Sequence, residues 1–196
     1  TGIGLTVNNV LGQAFDMKAV RGGANAGEVL AAYGQSNVIR YRVYRTNDGS
    51  PAWSGASVAV TLGAGNNPQW LRLAADPADG DMVLAFETSQ NEFRTIAYNG
   101  STRAWGTVSA ALSTAAYGTV DYNRPFDVVW DAWGGANGVL LVYSDATAIR
   151  YRRSTDGGAS WGPEQTLEAT RQAYWVQAAT EPNGFVHLAV NDQNDD

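Results

Sequence analysis

The segment AIRYRRSTDGGASWGP, Ala148–Pro163, decides the fold because much of it has a counterpart earlier in the chain. Its Ile-Arg-Tyr-Arg tetrapeptide, Ile149–Arg152, is identical to Ile39–Arg42, and both are followed by an Asp-Gly pair and a tryptophan. A weaker copy occupies Glu92–Gly106. The tryptophans of the three copies are 52 and 56 residues apart: Trp53, Trp105 and Trp161. Recurrence at this interval indicates a repeat architecture.

Two further markers recur in the same order in each unit. A Gly-containing turn precedes a short apolar segment four times, at Gly27–Gly34, Gly80–Glu87, Asn137–Ser144 and Asn183–Val190. Upstream of each lies an aromatic residue: Phe15, Trp70, Phe126 and Trp175. Markers that keep their order through four units favour one structural unit repeated along the chain.

Each unit has the pattern of four short strands separated by turns rich in Gly, Asn and Asp. In the third unit we expect strands at Phe126–Trp130, Val139–Tyr143, Ala148–Arg153 and Gln165–Leu167. Four-stranded units of this length are typical of propeller blades. The sequence therefore predicts an all-β β-propeller of four-stranded antiparallel blades; the alternative is a β-sandwich of about fourteen strands.

The predicted chain holds about 3.5–4 blades. The boundaries are 1–14 for an outer strand of a preceding blade, then 15–69, 70–125, 126–174, and 175–196 for the first half of a further blade. Propellers close with 4–8 blades. We therefore expect part of a larger ring, or a protomer that another chain completes. The first residue is not Met, which favours a processed or truncated piece.

The octapeptide Ser154–Trp161, STDGGASW, resembles the Asp-box of the sialidase-like β-propeller superfamily, Ser-x-Asp-x-Gly-x-Ser/Thr-Trp. In that family the box is a hairpin turn on the face opposite the active site. The resemblance implies structural roles for the box and for its degenerate copies: Ser154, Asp156, Gly158 and Trp161, with Asp48, Trp53 and Trp105.

The resemblance would also suggest a retaining glycosidase, which in this family needs an arginine triad and a Tyr nucleophile polarised by a Glu. The nearest arginine motif is Tyr122–Pro125, which lacks the family's Ile. Of the arginines, Arg72, Arg124 and Arg171 lie near the starts of first strands, where a ligand face would form. No Tyr–Glu pair is identifiable, and no catalytic residue is assigned.

The loops of the expected ligand face combine aromatic rings with charged groups. Aromatic faces stack on sugar rings, and carboxylates accept hydrogen bonds from hydroxyls, so this mixture suits a glycan. The candidate ligand-binding residues are Trp70, Arg124, Asp127, Tyr174, Trp175, Glu87 and Asp145.

Composition narrows the function class. A net charge of −6 over 196 residues argues against nucleic acid, and no apolar run is long enough to span a membrane. There is no cysteine, and the single His187 is expected in the core or between blades. No cofactor or metal is predicted, although the oxygen-rich stretches Asp76–Asp81 and Asn191–Asp196 could hold calcium.

Three functions remain open from the residues. The first is a non-catalytic, secreted or cell-surface module that binds a glycan or an extracellular protein. The second is a fragment of a sialidase-like glycoside hydrolase. The third is a structural subunit that closes its ring through further blades or as a homo-oligomer.

Overall fold

The structure, a computed structural model, describes residues 14–46, 51–116, 123–131, 135–181 and 183–192. Within these ranges every regular element is a β-strand, and the strands form consecutive antiparallel sheets. No helix in the described ranges has the length and hydropathy needed to cross a membrane.

Blade 1 contains one strand more than the sequence predicts. It comprises β1 (Phe15–Ala19), β2 (Val29–Gln35), β3 (Val38–Arg45), β4 (Ala52–Trp53) and β5 (Ser57–Thr61). Both β4 and β5 pair with β3, and the pairing of β3 with β5 shifts register between Ile39 and Arg40. The fourth position of this blade is therefore filled by two short strands.

Blades 2 and 3 are four-stranded meanders, and blade 4 contributes two strands. Blade 2 comprises β6 (Pro68–Ala75), β7 (Met82–Thr88), β8 (Phe93–Asn99) and β9 (Ala104–Trp105). Blade 3 comprises β10 (Phe126–Trp130), β11 (Val139–Ser144), β12 (Ile149–Ser154) and β13 (Gln165–Glu168). Blade 4 comprises β14 (Ala173–Thr180) and β15 (Val186–Asp192). These sheets confirm the predicted all-β, four-stranded antiparallel blades.

Three apolar layers hold successive blades together, and β7 shows how one strand serves two of them. Its seven residues are all buried. Because side chains alternate between the faces of a strand, Leu84 and Phe86 pack toward blade 1 and Val83 and Ala85 toward blade 3. A third layer, which includes Val142 and Val176, lies between blades 3 and 4. A strand buried on both faces carries a continuous apolar run.

The main chains of blades 1 and 2 are in direct contact at Gly22 and Gly80. A Cβ added to Gly22 would lie 2.0 Å from the carbonyl oxygen of Ala78, and one added to Gly80 would lie 2.7 Å from the carbonyl oxygen of Gly22. Gly80 also has a φ of +86°, which favours glycine. Any larger residue at these positions would force the two blades apart.

The expectation for His187 is wrong. Its side chain is 67% exposed and its Nε2 lies 2.7 Å from Glu181 Oε1. His187 lies on β15, at the edge of the two-stranded sheet and on the face turned away from blade 3. At His187 this face is open to solvent.

Candidate binding site at the first strands

The first strands of the four blades lie side by side, with β1 beside β6, β6 beside β10 and β10 beside β14. The chain just before β10 also joins β14, since Arg124 and Trp175 form a parallel bridge and Val176 N donates to Arg124 O at 3.0 Å. The starts of the first strands therefore bring polar and aromatic residues from all four units together.

Two aspartates connect first strands of neighbouring blades. Asp16 Oδ2 accepts a hydrogen bond from the backbone N–H of Leu73 at 2.8 Å, and Asp127 Oδ2 accepts one from Ala178 N–H at 2.9 Å. Leu73 and Ala178 each lie three residues after the tryptophan that begins their unit. Blade 1 is thus connected to blade 2, and blade 3 to blade 4, by the same device.

Arg72 links the remaining pair of blades. Its Nε donates to Asp127 Oδ1 at 2.8 Å, and its Nη1 lies 3.7 Å from Asp16 Oδ2. Burial opposes the charged form, but the hydrogen bond and charge of Asp127 outweigh it and raise the pKa of Arg72. The sequence placed Arg72 near a strand start without naming it as a candidate. The repeated Phe-Asp pairs, Phe15-Asp16 and Phe126-Asp127, were the available sign of this network.

Arg124 is buried beside this network and keeps unused donor capacity. Its exposed fraction is 6%, its Nη2 donates to Val176 O at 3.1 Å, and its Nε has no hydrogen-bond partner among the described residues. Burial and, next, the Arg72 guanidinium lower the pKa of Arg124. A buried, poorly solvated cation of this kind gains from any acceptor that reaches it.

The guanidinium of Arg124 lies over Trp175, 4.1 Å from the ring centroid, and Trp70 meets Trp175 edge to face at 5.8 Å. Beside them is a cleft of about 340 Å³. Its lining consists of Phe15, Trp70, Leu71, Arg72, Arg124 and Trp175. The structure thus brings together three predicted ligand residues, Trp70, Arg124 and Trp175, with Asp127 joined to them through Arg72.

Glu87 lies opposite Trp70 in the pairing of β6 with β7 and is 1% exposed. Its Oε2 is buried without a hydrogen-bond partner in the described part of the chain. Burial raises the pKa of Glu87 to about 8, so the carboxyl is neutral at pH 7. Glu87 belongs to the wall behind Trp70 rather than to the lining of the cleft.

Asp145 and Tyr174 do not line the cleft. Asp145 Oδ1 accepts hydrogen bonds from Thr147 N–H at 2.7 Å and Ala148 N–H at 2.8 Å, and Oδ2 accepts one from Arg150. Although burial opposes it, these hydrogen bonds lower the pKa of Asp145. Asp145 therefore stabilises the turn between β11 and β12. Tyr174 is half-buried on β14, and its ligand role stays a prediction.

The turn that resembles an Asp-box is closed by its own side chains. Ser154 Oγ accepts from Gly158 N–H at 2.8 Å and donates to Asp156 Oδ1 at 2.7 Å. Asp156 Oδ1 also accepts from Ser160 N–H at 2.9 Å. Gly158 has a φ of +84°, and a Cβ there would lie 2.6 Å from Val83 Cγ2. These contacts leave the Asp156 carboxylate engaged within the turn. Asp48, of the degenerate copy, lies outside the described residues.

The three repeat tryptophans contact β-strands, two of them in the preceding blade. Trp161 Nε1 donates to Thr95 Oγ1 at 2.8 Å. Trp105 packs edge to face on Tyr41 at 5.5 Å, and its Nε1 is buried without a hydrogen-bond partner in the described ranges. Trp53 packs on Tyr44 within blade 1 at 5.4 Å. None of the three lines the cleft.

The structure contains a Tyr–Glu pair that the sequence did not reveal. Tyr143 OH donates to Glu164 Oε2 at 2.5 Å, and Tyr143 is fully buried between blades 2 and 3. Burial and, next, the hydrogen bond to Glu164 raise the pKa of the Tyr143 phenol far above its usual value. A nucleophile needs the opposite shift.

In the oxygen-rich turn at Asp76–Asp81, carboxylates accept hydrogen bonds from backbone N–H groups. Asp76 Oδ1 accepts from Ala78 N–H and Asp81 Oδ1 from Gly100 N–H, each at 2.7 Å. Among the described residues, no cluster of three or more His, Asp or Glu side chains is arranged to hold a metal ion. Residues 193–196 of the second predicted stretch lie outside the described ranges.

No family model and no curated protein matches the sequence. Solved structures do. An intramolecular trans-sialidase from leech, in complex with 2,7-anhydro-Neu5Ac, aligns with a TM-score of 0.57 and 16% identity over 89% of this chain. The intramolecular trans-sialidase from Ruminococcus gnavus aligns with a TM-score of 0.58 and 13% identity over 89% of this chain. The NanB sialidase from Streptococcus pneumoniae aligns with a TM-score of 0.57 and 11% identity over 85% of this chain.

The alignments cover 27%, 38% and 26% of these three structures, so the chain spans well under half the length of each. At identities this low, what is shared is the fold. The chain has a sialidase-like β-propeller fold, as the resemblance of Ser154–Trp161 predicts.

Proposed function

We propose that this chain is a non-catalytic β-propeller module, secreted or at the cell surface, that binds a glycan in the cleft between its first strands. The observation that carries the proposal is the stack of Arg124 on Trp175 beside Trp70 at the edge of an open cleft. The chain would form part of a larger ring, with Ser154–Trp161 as a structural Asp-box turn.

The chemistry of the cleft suits a sugar. Trp175 is 37% exposed although Arg124 covers one face of its indole, and Phe15 is 39% exposed. Exposed aromatic faces stack against the C–H surface of a pyranose ring. The guanidiniums of Arg72 and Arg124, which line the cleft, supply donors for hydroxyl or carboxylate oxygens.

The acidic groups support binding rather than catalysis. Asp16 and Asp127 accept hydrogen bonds from neighbouring backbone and pair with Arg72. Glu87 is buried behind Trp70. In the Tyr143–Glu164 pair, Tyr143 is fully buried between blades 2 and 3, and Glu164 holds its hydroxyl proton. A single lysine and a surface rich in Gly, Asn and Thr support an extracellular location.

A glycan array with the labelled chain tests the proposal, followed by calorimetry on the best glycan. We expect Trp175→Ala to weaken binding at least about tenfold, because it removes both the stacking surface and the support of Arg124. Phe185→Ala is the matched control, since Phe185 is a 60% exposed aromatic residue outside the cleft. Equal binding by the two variants, or no glycan bound by the wild type, would refute the proposal.

A second function, a fragment of a sialidase-like glycoside hydrolase, is favoured by one observation. Arg72 and Arg124 lie close enough for the charge of one to lower the pKa of the other, at a cleft that also approaches Asp16 and Asp127. Two adjacent guanidiniums suit a carboxylate ligand. Turnover of a fluorogenic sialoside that Arg124→Ala abolishes would establish the enzyme; glycan binding without turnover would establish the module.

A further inference from the structure

The charged groups at the cleft are two cations and two anions that neutralise one another. Arg72 and Arg124 line the cleft, and the carboxylates of Asp16 and Asp127 contact Arg72. The same two carboxylates reach Arg124, since both act to raise its pKa against the larger effects of burial and of Arg72. The other described residues of the lining are apolar: Phe15, Trp70, Leu71 and Trp175. A ligand in the cleft therefore meets aromatic surface and a set of charges that is already balanced.

The guanidinium of Arg72 is occupied by carboxylates of the protein. Its Nε and Nη2 face Asp127 Oδ1 at 2.8 Å and Asp127 Oδ2 at 3.5 Å, and its Nη1 lies 3.7 Å from Asp16 Oδ2. An arginine holds a ligand carboxylate most strongly with two parallel N–H donors along one edge. On Arg72, Asp127 uses one such edge, and Asp16 lies against a nitrogen of the other.

The donors of Arg124 are largely committed as well. Its Nη2 donates to Val176 O at 3.1 Å, and its Nε is buried, so a ligand in the cleft does not reach that nitrogen. One face of the guanidinium lies on Trp175. The Nη1 group remains, and a single nitrogen serves a hydroxyl oxygen without supplying the paired hydrogen bonds that a carboxylate requires.

The class of sugar that the cleft accepts follows from these contacts. A sugar carboxylate would lose its hydration against aromatic and leucine side chains without gaining a partner of its own, and an unpaired charge is costly to desolvate. A neutral sugar loses no charge hydration and still stacks its C–H surface on an indole. We propose that the cleft selects neutral sugar residues over those that carry a carboxylate, and that Asp16 sets this selection. The inference rests on the proposed function, because it defines the ligand class of the same cleft.

Asp16 sets the selection because it is the more accessible of the two carboxylates. Its side chain is 14% exposed, whereas that of Asp127 is 2% exposed. Without the charge of Asp16, Arg72 Nη1 would be free for a ligand and the cleft would carry a net positive charge. Asp127 would still hold Arg72 in place through Nε.

A glycan array tests the selection with pairs of oligosaccharides that differ only in a terminal glucose or galactose and the corresponding uronic acid. We expect the wild type at pH 7 to bind the neutral member at least about tenfold more tightly, because the uronate must give up the hydration of its charge. Binding of the neutral member should stay unchanged between about 50 and 500 mM NaCl, because the ligand carries no charge for salt to screen.

The outcomes separate this inference from the proposed function. Equal binding of the two members, or tighter binding of the uronic acid, would overturn the selection and leave glycan binding intact. Tighter binding of the uronic acid would also favour the hydrolase fragment. A wild type that binds no glycan on the array would refute the proposed function itself, and the selection with it.

The Asp16→Asn variant assigns the selection to a residue. Asparagine keeps an oxygen for the Leu73 N–H, so the fold should survive, and circular dichroism checks it. We expect the affinity ratio of uronic acid to neutral sugar to rise at least about fivefold, because Arg72 Nη1 becomes available to the carboxylate. Glu168→Gln is the matched control, since it removes the same charge on β13, outside the cleft. An identical ratio in the two variants would overturn the role of Asp16, and the wild-type pairs test the selection without either variant.

Discussion

Residues of the interface between blades 2 and 3 have counterparts at equivalent positions in blades 1 and 4, and several of these counterparts are more exposed. Trp70 is 7% exposed and its counterpart Trp175 is 37% exposed. Phe126 is fully buried, whereas its counterpart Phe15 is 39% exposed. The strand sequence sets which face a residue occupies, but the neighbouring blade decides whether that residue is in the core. In a repeat protein, the burial of a residue therefore depends on the contact between neighbouring units.

The arginines of the repeated strands depend on a neighbouring blade for their acceptors only in part. The Ile-Arg-Tyr-Arg strand of blade 3 has acids within its own unit, Asp145 and Glu164, and a carbonyl from blade 2. The identical tetrapeptide of blade 1 has neither acid. A unit can thus carry its own neutralising groups or depend on a neighbour for them.

The largest effect on stability is expected from removing the aspartates that connect neighbouring blades, Asp127 and Asp16. Asp127→Ala should lower the free energy of unfolding by about 4 kcal/mol, because it leaves the Ala178 N–H without its acceptor and removes the closest partner of Arg72. Asp16→Ala should cost about 2 kcal/mol, since Arg72 keeps Asp127. Urea denaturation measures both, with Asp127→Asn as the isosteric control. A larger loss for Asp16→Ala would contradict the network as described.

The next effect depends on pH and belongs to Glu87, which pairs with Trp70 as its counterpart Asn191 pairs with Trp175 in blade 4. The pKa of Glu87 is about 8 in the folded chain and 4.5 for the free side chain, so folding holds a proton between these values. Its contribution to stability is complete below pH 4.5 and is lost as pH rises toward 8.

Glu87→Gln should escape this loss. Its stability relative to wild type should rise by up to about 1.4 kcal/mol per pH unit in that window, reaching about 5 kcal/mol at pH 9. Urea denaturation at pH 5, 7 and 9 measures the difference. A difference that stays constant with pH would show that Glu87 is ionised in the fold.

A smaller effect comes from exchanging the acids of the two Ile-Arg-Tyr-Arg strands. Asp145→Ala should cost about 2 kcal/mol, because two backbone N–H groups and Arg150 lose their acceptor. The reverse change, Gln35→Asp in blade 1, should add about 0.5 kcal/mol by placing a carboxylate beside Arg40. Thermal denaturation at low and high salt checks the second value, which should fall as salt rises. If Gln35→Asp destabilises the chain, the two strands are not equivalent.

The smallest effect separates two of the repeat tryptophans. Trp161→Phe removes the hydrogen bond to Thr95 and should cost about 1.5 kcal/mol, most of which Thr95→Val should already remove. Trp105→Phe keeps the contact with Tyr41 and removes an indole N–H that is buried without a hydrogen-bond partner. We therefore expect it to lower the free energy of unfolding by less than about 1 kcal/mol. Both follow from the midpoint of urea unfolding. Equal costs would show that packing alone holds both indoles.

The strands could be predicted because each is a local pattern. The first strand of blade 3 begins and ends where the sequence predicts, at Phe126 and Trp130. The cluster of Trp70, Arg124 and Trp175 also followed from the repeat, since equivalent positions in a propeller converge. The Asp127 connection could not be assigned, because its acceptor role depends on the main chain of another blade, 51 residues away.

Two other differences have physical causes that local patterns do not record. His187 has the alternation of a core strand, but β15 has no neighbour on its outer side in the described fold. Tyr143 and Glu164 lie 21 residues apart and meet because β11 and the segment after Trp161 share one face. Side-chain partners across strands require a register, and the register comes from the folded sheet.

The aspartate connections have a consequence for how freely the units can be exchanged. Asp16 and Asp127 recognise a peptide N–H, a group that every amino acid except proline provides at Leu73 and Ala178. The connection therefore does not require any particular side chain in the following unit. The side chains at Leu73 and Ala178 could therefore change without loss of this hydrogen bond. Proline at either position would remove it, because proline has no N–H to donate.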